Sequence, residues 1–169
     1  DPNTILIAEI TIEAWQTTIR GISQNLDYWL GDMAVVAAKV VAINPLRVPQ
    51  DHVTIQEAIN HAVHKGTILV AAGTYYEHVI LNKTVSIIGE DSDTTIIHGV
   101  ESYSVVLVNA GNVTIKGFTV QFGWCGIMIQ SSNNNISENT LTNNTCGIEL
   151  ISSSNNKIYH NNFINNRNQ

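Results

Sequence analysis

The C-terminal part of the chain repeats itself, and this repeat constrains the fold more than any other feature of the sequence. Segments that begin at Ile115, Ile136 and Ile158 align with one another, at spacings of 21 and 22 residues. A second phase agrees, because Cys125-Gly-Ile recurs as Cys146-Gly-Ile. Short apolar runs with Asn, Ser and Gly between them, repeated at a period just above twenty residues, are typical of one solenoid coil per repeat. The sequence therefore predicts a parallel β-helix.

Composition and charge agree with a solenoid and exclude other classes. Of the 169 residues, 44% are hydrophobic, and only 13% are charged. Asn, Ser and Thr take the surface positions that charged residues would otherwise occupy, since their side chains can stack along coils without accumulating charge. A net charge of −6 argues against a nucleic-acid partner, which needs a basic surface. No apolar run is long enough to predict a transmembrane span.

The two ends of the chain and its glycosylation sequons bear on location. A first residue Asp1 instead of Met fits a processed mature chain or an arbitrary boundary, and the coils after Asn112 end at Gln169 without a recognisable cap. We predict an extracellular or cell-surface protein. Four acceptor sequons are candidate glycosylation sites, although an Asn- and Thr-rich chain also generates them by chance. They lie at Asn82, Asn112, Asn135 and Asn143.

Residues 1–47 are predicted to form a separate extension. Alternating isoleucines between Ile5 and Ile12 indicate a strand, and a heptad pattern follows that indicates a long helix. The helix would end before Pro45. Its apolar seam comprises Trp15, Ile19, Ile22, Leu26, Trp29, Met33, Val36, Val40 and Ile43. This seam either packs against the chain's own solenoid or meets other copies of the protein.

A short helix is predicted at about 54–65, directly before the first coils. Thr54 and Glu57 have the spacing of a capping box, and Lys65-Gly66 would end the helix. Such a helix can cover the apolar end of a solenoid. Short β-branched runs then follow from residue 67 to residue 108, with no helix between them. These runs must therefore wind directly as coils.

Histidines near this helix raise the question of a metal. His61 and His64 share a helix face, but two histidines do not complete a site. Asp51, His52 and Glu57 do not have a convincing ligand spacing in the sequence. No metal site and no cofactor are therefore predicted.

Two groups of residues resemble known β-helix families. Thr54-Ile-Gln-Glu, Gly73-Thr-Tyr-Tyr-Glu and Val85-Ser-Ile-Ile-Gly-Glu resemble the opening of right-handed parallel β-helix proteins of the pectinesterase and pectate-lyase-like group. The coils from Asn112 onward, with Ser153-Ser-Asn-Asn-Lys-Ile-Tyr-His-Asn-Asn-Phe, resemble NosD-type and carbohydrate-binding or sugar-hydrolase repeats. The resemblance covers about residues 48–166 and implies a right-handed, mainly β solenoid over residues 48–169.

The catalytic residues of those enzyme families are not found. Pectinesterases need paired aspartates with an arginine, whereas this chain has no Asp after Asp93 and only Arg167 after Arg47. Gly73, Tyr75 and Glu77 are accordingly interpreted as a corner, a packing residue and a local hydrogen-bond acceptor. No catalytic residue is predicted.

Three further pairs of residues are candidate sites. Glu138 and His160 lie one coil apart and are interpreted mainly as a surface pair, with a base and its orienting residue as the alternative. Cys125 and Cys146 should stack inside the solenoid, either as a disulfide or as a ladder of buried thiols. Copper, which a NosD-type resemblance raises, is not supported, since Met33 and Met128 are far apart and the histidines do not cluster with them.

Two functions remain open from the sequence. The first is a non-catalytic extracellular surface or filament-forming solenoid that self-associates through its N-terminal extension and its open C-terminal coil. The alternative is a carbohydrate-binding or carbohydrate-active β-helix, including a fragment of a polysaccharide-processing enzyme. The candidate sugar-binding residues are Trp124, Tyr159, Asn139 and Asn161.

Overall fold

The protein is described from a computed structural model over residues 45–99 and 103–168. These residues form fifteen strands and one short helix, and the prediction of a mainly β fold is confirmed. The elements are β1 (Leu46–Val48), α1 (Ile55–His61), β2 (Gly66–Val70), β3 (Gly73–Tyr76), β4 (Val79–Leu81), β5 (Val85–Gly89), β6 (Thr95–His98), β7 (Val106–Val108), β8 (Thr114–Lys116), β9 (Thr119–Gln121), β10 (Cys125–Ile129), β11 (Asn135–Ser137), β12 (Thr140–Thr142), β13 (Cys146–Leu150), β14 (Lys157–Tyr159) and β15 (Asn162–Ile164). The strand at Ile5–Ile12 and the heptad seam lie outside the described residues.

The strands wind through three parallel sheets, and each turn of the solenoid contributes one strand to a sheet. Sheet 1 has the order β1-β2-β5-β8-β11-β14, sheet 2 the order β3-β6-β9-β12-β15, and sheet 3 the order β4-β7-β10-β13. Five strands in sheet 2 correspond to about five turns. The register places Ile115 beside Ile136 and Ile136 beside Ile158, so the predicted repeat is confirmed.

Alternate residues of each strand point inward and form a continuous apolar core. In sheet 1, Ile68, Ile87, Ile115 and Ile136 stack on successive turns, and all four side chains are fully buried. Burial of each such side chain contributes about 1.5–3 kcal/mol, so the isoleucine stacks are a large part of the stabilising free energy.

The later turns change direction at residues in the left-handed backbone region. Gly117 has a φ of 79°, and Glu138 and His160 take the same conformation at the equivalent corner of the next two turns. The other two corners repeat this geometry at Asn112, Asn133, Asn155, Phe122, Asn143 and Asn165. At Gly117 the choice of glycine also has a steric cause, because an added Cβ would lie 2.6 Å from the Gly89 carbonyl oxygen.

Two predictions about local structure need correction. The helix predicted at 54–65 begins as expected but ends at His61, because Ala62 takes an extended conformation and the chain turns toward β2. The short runs predicted from residue 67 to residue 108 include Gly73–Leu81, and this run forms two strands, β3 in sheet 2 and β4 in sheet 3, with Glu77 and His78 between them. In the described part of the chain, no helix is long and apolar enough to cross a membrane.

Candidate functional sites

Three ladders of asparagines join consecutive coils at the corners. In each ladder, the Oδ1 atom of one coil accepts the backbone N–H of the equivalent residue one coil earlier. The ladders consist of Val113, Asn134 and Asn156; of Phe118, Asn139 and Asn161; and of Gly123, Asn144 and Asn166. The N···O distances are 2.9–3.1 Å. These asparagines satisfy the corner amides, which have no strand partner.

The ladders account for two of the four candidate sugar-binding residues. Asn139 is 1% exposed, and its amide nitrogen donates to the Ile115 carbonyl oxygen at 3.0 Å. Asn161 is half-buried, accepts the Asn139 N–H and donates to the Ile136 carbonyl oxygen at 2.8 Å. A ligand outside the solenoid cannot reach Asn139 without breaking bonds that join the coils.

Trp124 and Tyr159, the other two candidates, are exposed but lie on different faces. Trp124 precedes β10 of sheet 3 and is 44% exposed. Tyr159 ends β14 of sheet 1, is 43% exposed, and has an edge contact with the His160 ring at 5.1 Å. The structure does not bring these two aromatic rings into one site.

A different row of aromatic rings does form a continuous surface, which we call the aromatic ridge: Tyr76, His98 and Phe122. The centroid distance is 4.8 Å between Tyr76 and His98 and 4.7 Å between His98 and Phe122. Tyr76 is 74% exposed, so the ridge is open to solvent at that end. These three residues were not predicted as a set from the sequence, although their spacings of 22 and 24 residues match the coil period.

Cys125 and Cys146 are register partners on β10 and β13, as the repeat predicts. Both are thiols in the structure; Cys125 is fully buried, and Cys146 is half-buried. Burial, with the neighbouring Cys146 side chain as a second cause, raises the pKa of the Cys125 thiol well above its usual value. This environment favours a protonated, unreactive thiol at Cys125.

Glu138 does form a surface pair, but its partner is not His160. The Lys116 Nζ atom lies 2.9 Å from the Glu138 carboxylate, and both side chains are about half exposed. His160 instead contacts the ring of Tyr159. Lys116 ends β8, and Glu138 lies at the corner after β11, so the carboxylate pairs with a lysine of the preceding coil.

The candidate glycosylation residues differ in accessibility. Asn82, Asn112 and Asn143 are exposed, and Asn112 and Asn143 occupy corners with a positive φ. Asn135 is half-buried on β11, and its Oδ1 atom is inaccessible to solvent. The side chains of Asn82, Asn112 and Asn143 are therefore more accessible than that of Asn135.

Glu77 has a larger role than the predicted local hydrogen bond. Its two carboxylate oxygens accept the backbone N–H groups of Ile55 and Gln56, each at 2.9 Å, across more than twenty residues of sequence. Thr54 caps the same helix end by accepting the Glu57 N–H at 3.0 Å. Glu57 reaches back to the N–H of Val53 instead of to Thr54. The prediction that Glu77 binds locally is wrong, because the corner after β3 points its carboxylate at the start of α1.

The structure also corrects the spacing argument against His52 and Glu57. His52, Glu57 and His61 have ligand atoms that all lie within 4.8 Å of one another. In the described residues, this is the one group of three or more His, Cys, Asp or Glu side chains that could hold a metal ion. The turn after β1 folds His52 back beside α1, and sequence spacing does not reveal that reversal.

Comparison with known proteins agrees with this architecture. A family model described as "Periplasmic copper-binding protein (NosD)" matches residues 44–169. The chain belongs to the NosD family. The match covers all of the described coils and the capping helix.

A similar protein is the cell surface glycoprotein of Methanothermus fervidus. The two sequences are 31% identical over 111 residues, which cover 64% of this chain and 18% of that glycoprotein. This chain therefore spans less than a fifth of the length of its relative. Both descriptions, one periplasmic and one at the cell surface, agree with the predicted extracellular or cell-surface location.

Proposed function

We propose that the chain is a non-catalytic scaffold of an extracellular surface protein and that its C-terminal coil binds a second copy. The observation that carries the proposal is a change in exposure between equivalent inward positions. Leu141 is 0% exposed, whereas its register partner Phe163 is 36% exposed. Ile129 is 0% exposed, whereas its register partner Leu150 is 48% exposed.

A further layer of β-structure on this coil would restore the burial seen one coil earlier. It would pair with the edges of β14 and β15 and with the part of β13 beyond Gly147, since Asn168 already pairs with Cys146. It would also cover Phe163 and Leu150. Each apolar side chain that becomes fully buried contributes about 1.5–3 kcal/mol. Unpaired strand edges with apolar neighbours are a recurrent route to β-strand addition.

The opposite end of the solenoid is already covered by the chain itself. Ile55, Ala58 and Ile59 of α1 are fully buried where the helix packs on β1, β2 and β4. The partner segment we propose is therefore the strand predicted at Ile5–Ile12 of a second copy, whose alternating isoleucines suit the exposed inward positions.

Sedimentation velocity of the full chain at several concentrations tests this proposal. We expect oligomers that dissociate in Phe163→Asp and persist in Leu69→Asp, a matched control at an outward position that is 37% exposed. Removal of residues 1–44 should also release monomers. Monomers of the unmodified chain at all concentrations would refute self-association, and oligomers that survive the deletion would refute the role of the N-terminal strand.

The aromatic ridge supports carbohydrate binding as a second candidate function. The rings of Tyr76, His98 and Phe122 pack in a row, with angles of 39° and 25° between successive planes. Tyr76 and Phe122 are exposed and His98 is half-buried, so the row offers apolar ring surface with polar edges. Affinity electrophoresis in gels that contain soluble polysaccharides would detect retardation. Tyr76→Ala should abolish it, and Tyr159→Ala, an exposed tyrosine on sheet 1, should not. Equal retardation of both variants would rule out the ridge.

The copper of the family description has one candidate donor set in the described part of the chain. His52, Glu57 and His61 supply imidazole and carboxylate groups. Met128 lies on sheet 3, where its sulfur contacts the Gln130 side chain. A copper-related role would therefore use the nitrogen and oxygen donors beside α1.

A further inference from the structure

The three donor side chains beside α1 are positioned by short-range backbone structure. A turn follows β1, in which the Arg47 carbonyl oxygen accepts the N–H groups of Asp51 and His52 at 2.8 and 3.3 Å. The Asp51 carboxylate in return accepts the Arg47 N–H at 2.7 Å. Glu57 and His61 are four residues apart on α1, so they share one helix face. The turn brings His52 to that face.

The hydrogen bonds of the cluster leave ligand atoms available. The Nδ1 atom of His61 lies 2.9 Å from the Glu57 carbonyl oxygen. Because a carbonyl oxygen only accepts, Nδ1 carries the hydrogen of this bond, and Nε2 is the nitrogen that the neutral imidazole offers to a metal ion. The Oε2 atom of Glu57 accepts the Val53 N–H, which orients Oε1 toward His52 Nδ1 at 3.7 Å. An imidazole fixed by a carbonyl acceptor on its other nitrogen is the usual arrangement of a metal-binding histidine.

The rings of His52 and His61 stack on one another, with centroids 4.6 Å apart and an angle of 16° between their planes. The side chain of His52 is 16% exposed, and that of Glu57 is 47% exposed. One side of the cluster is thus packed, and the other is open to water molecules that could complete a coordination sphere.

We propose that His52, Glu57 and His61 bind a divalent transition-metal ion of the Zn²⁺ or Cu²⁺ class, with water in the remaining positions. Two imidazoles and one carboxylate form a donor set that suits these borderline ions, whereas Cu⁺ prefers thiolate and thioether ligands. The ion would link the turn after β1 to α1. The site is independent of the C-terminal coil and of the aromatic ridge.

Calorimetric titration of the purified full chain with Zn²⁺, and separately with Cu²⁺, tests the site. We expect one equivalent to bind. His52→Gln and His61→Gln should each weaken binding at least about tenfold, and His64→Gln, an exposed histidine outside the cluster, should leave it unchanged. An equal loss in all three variants, or undiminished binding in the His52→Gln/His61→Gln double variant, would overturn the proposal.

Two readouts do not depend on the variants. The electron paramagnetic resonance spectrum of the Cu²⁺-loaded chain should show coupling to two imidazole nitrogens. In nuclear magnetic resonance spectra, Zn²⁺ should shift the ring signals of His52 and His61 and leave those of His64 and His160 in place. Shifts confined to other histidines, or the absence of any stoichiometric complex in the unmodified chain, would also refute the site.

Discussion

The early and late turns of the solenoid are held together by different kinds of side-chain contact. In the turns up to residue 99, individual contacts tie α1 to the coils. The Gln56 side chain, for example, accepts the Ile80 N–H at 2.7 Å and donates to the Ile80 carbonyl oxygen at 3.3 Å, and Lys83 donates to the carbonyl oxygens of Asn60 and Ala62. From residue 113 onward, one type of contact, an asparagine that accepts a backbone amide, recurs at every corner.

The late turns thus depend on one contact that is repeated in every coil, and the early turns depend on contacts that are each made once. A repeated corner needs only the right residue at the right period, so each late coil is a template for the next. The early turns hold a helix as well as strands, and each contact there is made once by a particular residue. Variants in the two regions should therefore have different consequences for stability.

The largest effect is expected in the late turns, for Asn139→Ala. The variant removes the acceptor of the Phe118 N–H and the donor to the Ile115 carbonyl oxygen, and both groups are buried. We expect the free energy of unfolding to fall by roughly 3 kcal/mol, measured by urea denaturation. Asn109→Ala, at an exposed asparagine, is the control and should change it by less than about 0.5 kcal/mol. Similar losses for the two variants would contradict the role of the ladders.

In the early turns, Glu77→Gln should have an intermediate effect. A glutamine has one acceptor oxygen and no charge, whereas Glu77 accepts two helix amides with its carboxylate. We expect a loss of about 1–2 kcal/mol. Hydrogen exchange should increase in α1 and stay unchanged in β11 to β15. Glu138→Gln, at an exposed carboxylate in the late turns, serves as the matched control. Faster exchange throughout the solenoid would contradict a local role.

Cys125 allows a pH-dependent comparison within the late turns. Because burial raises the pKa of the folded-state thiol, the unfolded chain ionises first as the pH rises. The protonated Cys125 thiol therefore makes its full contribution to the free energy of unfolding below the ordinary thiol pKa of about 8.5. This contribution is lost as the pH rises above that value. We expect Cys125→Val to reduce this alkaline loss of stability, measured by denaturation from pH 7 to pH 10. In the folded chain at pH 8, iodoacetamide should modify Cys146 faster than Cys125. Equal rates would contradict the burial of Cys125.

The smallest effect is expected for the surface pair of Lys116 and Glu138. Both side chains are about half exposed, so solvent and salt screen their attraction. A double-mutant cycle with Lys116→Ala and Glu138→Ala should give a coupling free energy of at most about 0.5 kcal/mol. The coupling should disappear at high salt. A coupling free energy larger than the loss caused by Asn139→Ala would contradict the prediction that the asparagine ladders stabilise the fold more than the surface charges do.

Much of the late region could be predicted because its information is periodic. The spacing of Ile115, Ile136 and Ile158 specified parallel register, and Cys125-Gly-Ile with Cys146-Gly-Ile specified which strands pair. The role of Asn139 was predicted less well. An asparagine beside a corner can face solvent or the core, and only the left-handed backbone at Glu138 decides that it faces inward.

The early region resisted prediction because the residue types that make its contacts do not recur from coil to coil, although Glu77 lies 22 residues, about one coil, after Ile55. The sequence showed where α1 begins, since Thr54 is a local capping residue. It did not show that Glu77 would cap the same helix or that Ala62 would end it. The donors His52, Glu57 and His61 were visible in the sequence, but their proximity depends on a turn that reverses the chain.

By itself, the sequence determined the solenoid, its period, its strand register and its alternation of buried and exposed residues. Each of these features follows from the burial of apolar residues that recur at a fixed period in the sequence. Only the tertiary structure decided which polar side chains meet across coils: Glu77 with the start of α1, Lys116 with Glu138, and His52 with His61. The physical reason is that hydrogen bonds and ion pairs act over a few ångströms, and corner geometry sets those distances.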